Sequence, residues 1–136
     1  MRQTRWDVVL RWALLLGAIF DLAFGVAVLA NHRWFLGLLG LDPPPNPAFV
    51  QLAAVLSIGV GLMLLVAGLA PWRYHANITS AAVMRLLSAS LLVWLVCGPD
   101  RSLPRHILAL AAAEGVLAIL HFIYSRRTAA AATSRQ

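Results

Sequence analysis

Hydrophobic positions in this chain come in four long runs, near residues 8–30, 48–70, 76–97 and 103–124, with polar or proline-bearing breaks between them. Each run reaches the ~20 residues that a helix needs to cross a hydrocarbon layer of ~30 Å. The breaks are built from turn chemistry. Asp42-Pro43-Pro44-Pro45-Asn46-Pro47 stops any helix before the second run, Pro71 closes that run, and Gly98-Pro99-Asp100 makes a tight third turn. Proline removes a backbone donor and disfavours helical geometry in the residue before it. Pro104 falls in the expected first turn of the fourth helix, where a missing N–H is tolerated. The pattern predicts an all-α fold: a four-helix transmembrane bundle over residues 1–127 with a polar tail at 128–136. Residues 31–41 are too few to span. Arg33 and Trp34 beside an apolar stretch suit a segment in the outer interface, and a loop capping the bundle is the simpler reading.

Composition agrees and narrows the class. Hydrophobic residues make up 61% of the 136 positions and charged ones 12%, against ~45–50% and ~25% in soluble domains. A small soluble domain hides only about two-thirds of its surface. This chain therefore excludes both a soluble globular enzyme and a disordered segment, and its mean hydropathy of +0.80 points to the lipid bilayer as its solvent. The first run is longer than a signal-peptide core and carries Asp21, so it reads as an uncleaved span.

Charge adds orientation. All 11 basic residues are arginine, against 5 acidic ones, and they cluster just outside the apolar runs, where membrane topology is set. Arg2, Arg5, Arg73, Arg126, Arg127 and Arg135 share the side of the two termini, with Arg11 just inside; Arg33, Arg101 and Arg105 lie opposite. The bias places both termini in the cytoplasm. Trp6, Trp72, Tyr74 and Tyr124 mark the inner interface, Trp34 and Trp94 the outer. No basic stripe with interleaved aromatics suggests nucleic acid as a partner.

Three ionisable residues fall deep inside the runs: Asp21, Arg85 and Glu114. Each costs ~2.5–3.5 kcal/mol at a helix centre if unpaired. At ~1.5 Å per residue, Arg85 and Glu114 both lie about 15 Å from the inner edge, and Asp21 about 20 Å. The third and fourth helices are joined by a short turn, so an Arg85–Glu114 pair is the sharpest contact predicted, with Asp21 as second partner. Asp7 and Arg11 form a separate i,i+4 pair near the surface.

Small residues flank these charges at helical spacing. Gly17-Asp21-Gly25, Ala81-Arg85-Ala89 and Glu114-Ala118 each share one helix face, and Ala53-Ser57-Gly61 make an uncharged counterpart on the second run. Such stripes let helices approach in lipid, where packing replaces the hydrophobic effect. The ion cluster then has two readings. It fixes helix register, or it titrates or binds a proton, ion or small polar substrate. The first is preferred, because Ser57, Ser88 and Ser90 are too few to define a conduit.

His75 and His121 lie near the inner edge, and a histidine from each of two antiparallel helices could ligate a haem or metal ion. The plainer reading keeps their polar ends among headgroups. His32 and His106 sit on the other side. No GxSxG, Walker loop or GxGxxG occurs, and Cys97, the single cysteine, has no nearby base. No catalytic residue and no metal are therefore assigned.

Arg11 leading into Gly17-Ala18-Ile19-Phe20-Asp21 and Gly25, the run Gly59-Val60-Gly61-Leu62-Met63-Leu64-Leu65, and Pro71-Trp72-Arg73-Tyr74 resemble the DoxX-like group and related small bacterial four-span proteins. DoxX-like proteins often carry an acid before the glycine-rich stretch of the second span, where this chain has Ser57. The resemblance implies a place in the bacterial inner membrane and an accessory role beside membrane oxidoreductases, including quinone-linked ones. Three functions follow in order: a non-catalytic subunit of a larger membrane complex or homo-oligomer; a small proton-coupled transporter using Asp21, Arg85 and Glu114; and a redox subunit associated with quinone or haem.

Overall fold

A computed structural model describes residues 5–71, 73–99 and 103–133. Arg2, Trp72, Asp100, Arg101, Arg135 and the side chain of Trp6 lie outside the described residues. The chain forms four helices, α1 (Arg5–Leu38), α2 (Ala48–Leu69), α3 (His75–Cys97) and α4 (Ile107–Thr133), with no strand among the described residues. All four are long and apolar enough to cross a membrane. Among the described residues, thirty large apolar side chains remain on the outside, including Leu16, Ile19, Leu56, Leu87, Leu91, Val116 and Ile119. That is the surface a bilayer requires and water would penalise.

The helices pack as two close pairs, α1 with α2 and α3 with α4, with thinner contacts joining α1 to α4 and α2 to α3. Glycines permit the closest approach. A Cβ on Gly25 would stand 2.6 Å from the Ala54 carbonyl oxygen, and one on Gly61 would stand 3.0 Å from that of Ala18. A core of Leu10, Leu14, Ala18, Leu64, Ala67, Ile78, Ala81 and Tyr124 fills the half of the bundle where α1 begins and α4 finishes. Tyr124, expected at the inner interface, is buried in this core. Arg127 comes within 3.6 Å of Asp7 at that end, and the Arg11 Nε–H donates to the Gly68 carbonyl at 3.0 Å.

Three boundaries differ from the sequence reading, each for a local reason. Residues 32–38 continue as helix rather than a capping loop. Asn31 breaks α1 with φ −158° and ψ 81°, and its side-chain oxygen accepts the Trp34 N–H at 3.1 Å, which restarts the helix as an N-cap does. Gly40, at φ 64°, then closes the segment. Leu41 N–H bonds the Leu36 carbonyl at 2.9 Å and Gly40 N–H that of Gly37 at 3.0 Å, a Schellman ending. At the other loop, Pro104 precedes α4 instead of sitting in its first turn. The carbonyls of Pro104, Arg105 and His106 accept i→i+3 bonds from Ile107, Leu108 and Ala109, a tight lead-in that needs no proline N–H. Past Tyr124, α4 runs on to Thr133 through the alanines of the expected tail, because alanine is the best helix former.

Candidate functional site

The site is a buried ion network at mid-height of the bundle. Arg85 is 3% exposed. Its Nη1 donates to Glu114 Oε2 at 2.7 Å, and its Nη2 donates to Asp21 Oδ2 at 2.5 Å and to the Gly17 carbonyl at 3.0 Å. One planar guanidinium therefore joins α3 to its pair partner α4 and to α1 across the diagonal of the bundle. A lysine could not serve three acceptors in this fixed fork geometry. Gly17 makes the third bond accessible: a Cβ there would lie 3.2 Å from Arg85 Nη2 and 2.9 Å from His121 Cε1. Beneath Asp21, the Ser57 hydroxyl of α2 donates to the Asp21 backbone carbonyl at 3.1 Å. All four helices thus touch the network.

The small residues expected to face inward divide. Gly17, Gly25, Gly61, Ala81, Ala89 and Ala118 are buried. Ala53 is exposed while its neighbour Ala54 is fully buried, so Ala54 takes its place on the inward face of α2 with Ser57 and Gly61. Ala53 instead lines a cavity.

His121 is fully buried rather than interfacial. It stands two turns beyond Glu114 on the same face of α4, and its ring faces the backbone of Ala13 and Gly17 beside Arg85. Neither ring nitrogen has a well-formed hydrogen bond, and the same holds for Arg85 Nε. The contacts of His75 lie elsewhere. Its carbonyl lies 3.1 Å from the Thr79 hydroxyl and 3.2 Å from the Ser125 hydroxyl, and those two hydroxyls are paired, so one donates to the carbonyl while the other donates to its hydroxyl neighbour. Among the described residues, no three histidine, cysteine or carboxylate side chains gather where they could hold a metal ion.

A cavity of about 320 Å³ adjoins the network between the two helix pairs. Asp21, Arg85 and Glu114 form its polar part, and Phe20, Phe24, Leu56 and Met84 are among its apolar walls. Sequence reasoning missed it, as it missed the Gly17 carbonyl and the burial of His121. The signal for Gly17 was present, since a glycine one turn before a buried acid exposes its carbonyl. The cavity had none, because it depends on how far apart the two pairs stand.

Compared with protein-family models, curated proteins and solved structures, the chain matches none.

Proposed function

We propose that this chain is a non-catalytic multi-pass subunit of a bacterial inner-membrane complex, with both termini in the cytoplasm. One observation carries the reading: the charged groups at the bundle centre are engaged with one another, through bonds of 2.5 and 2.7 Å that tie α1, α3 and α4 together. Charge committed in this way sets which helix faces meet and at what height. It leaves the outer apolar faces for lipid or for neighbouring subunits, including further copies of the chain. The arginines at the end where α1 begins, namely Arg5, Arg11, Arg73, Arg126 and Arg127, support the orientation. The DoxX-like resemblance adds an association with membrane oxidoreductases, where a quinone is the fitting lipid-soluble cofactor.

The test is extraction of native membranes into lipid nanodiscs without detergent, followed by native mass measurement. The reading expects a particle of defined stoichiometry that exceeds one 14.7 kDa chain. A single chain per disc, active in flux, contradicts it. The cavity beside the network favours a second reading, a small proton-coupled carrier. There Glu114→Gln keeps the fold and loses flux, whereas in the subunit reading the same variant weakens assembly.

A further inference from the structure

The cavity between the helix pairs is small but ligand-sized, since small-molecule pockets start near ~300 Å³ and this one holds about 320 Å³. Its walls are aromatic and soft: the Phe20 and Phe24 rings stack with centroids 6.4 Å apart, and Leu56 and Met84 face them. Phe20, Leu56 and Met84 are also exposed on the lateral surface of the bundle, so the approach to the cavity is through lipid.

The polar end of the cavity has a definite sign. Arg85 is 3% exposed, whereas the side chains of Asp21 and Glu114 keep 10% and 11% of their surface. Both carboxylates line the cavity, and the guanidinium between them is the most deeply buried of the three groups. The ion pairs use Oδ2 and Oε2, one oxygen of each acid. Two carboxylates against one guanidinium leave one negative charge in surplus, in surroundings where an uncompensated charge is expensive. Aromatic faces close by add attraction for a cation. We infer that the cavity binds a lipid-soluble organic monocation, an amine or quaternary ammonium bearing one compact apolar group. Its charge lies toward Asp21 and Glu114, and its apolar part lies against Phe20, Phe24 and Met84. An anionic headgroup would meet the same carboxylates and be repelled. The inference rests on the cavity and stands for an accessory subunit and a carrier alike.

The experiment uses the full chain in zwitterionic nanodiscs, with benzyltrimethylammonium as probe and neopentylbenzene as its uncharged isostere. Calorimetric titration against empty discs is expected to show saturable binding of the cation and an affinity for the isostere at least about tenfold lower, the part of the affinity that the charge supplies. Glu114→Gln is expected to weaken cation binding by at least about tenfold. Because that change also touches the network, Ala53→Phe provides a second variant. It fills the cavity from the α2 wall, leaves the ion pairs in place, and is expected to abolish saturable binding while circular dichroism stays that of the parent. Equal affinities for cation and isostere, cation binding that survives Ala53→Phe, or no saturable cation binding at all would each overturn the inference.

Discussion

Arg85→Met removes the shared partner of two buried acids while keeping a stem of similar length. Each lost pair has its nitrogen and oxygen 2.5 or 2.7 Å apart. At an effective dielectric constant of ~20, unit charges at such separations attract by ~6 kcal/mol. Desolvation of each ion, at several kcal/mol, offsets most of that gain. The larger effect comes from what remains: two carboxylates face each other in a dry interior with no cation between them. Breaking a buried pair in this way costs ~3–5 kcal/mol. Unfolding would be followed in mixed micelles by titration with a denaturing detergent, reading circular dichroism and tryptophan fluorescence together. Arg85→Met is expected to lower stability by that amount. The triple variant Asp21→Asn, Arg85→Met, Glu114→Gln is expected to recover most of it, because replacing a whole buried network by neutral groups is often close to neutral. An Arg85→Met protein within ~0.5 kcal/mol of the parent, the range of an ordinary surface change, would show that the guanidinium does not hold the two acids together. So would a triple variant as unstable as the single one.

Glycine substitutions should separate close approach from open space. Gly25→Ala puts a Cβ 2.5 Å from Ile58 Cγ1 and 2.6 Å from the Ala54 carbonyl oxygen, and a loss of ~1–3 kcal/mol is expected in the same titration. Gly59→Ala meets nothing within 4 Å and is expected to stabilise the helix by ~0.5–1 kcal/mol. His121→Leu removes two buried ring nitrogens that lack well-formed bonds, so a change within ~1 kcal/mol is expected, and a loss of several would show that the ring has a partner the bundle depends on. Cys97 is exposed at the end of α3 opposite the first residues of α1. With cytoplasmic termini, a membrane-impermeant maleimide is expected to label it in intact spheroplasts, and labelling only after permeabilisation would reverse the orientation.

The sequence was most informative where cost was highest. Counting residues from the helix ends put Arg85 and Glu114 at one depth, and the structure places their side chains 2.7 Å apart, because a short turn forces α3 and α4 to run side by side. Asp21 came within reach only because arginine is long enough to cross the bundle. Where local propensity competed with punctuation, the reading was weaker. Asn31 looked like the end of a span, yet its side chain caps a new helical segment. The alanines after Thr128 looked like a loose tail, yet they extend α4. His121 shows a different limit. Its distance from the end of the expected span suggested an interface, but α4 runs nine residues past Tyr124 to Thr133, and a glycine on the facing helix opens room for the ring inside. That room depends on two helices at once, and a pattern along one chain does not encode it.

One guanidinium binds both acids at mid-bundle. Solid-state NMR on the protein in lipid bilayers tests it directly, by measuring dipolar couplings from the Arg85 Nη nitrogens to the carboxyl carbons of Asp21 and Glu114. Strong couplings to both are expected, since the intervening oxygens lie 2.5 and 2.7 Å from those nitrogens. A coupling to one acid alone, or to neither, would contradict it.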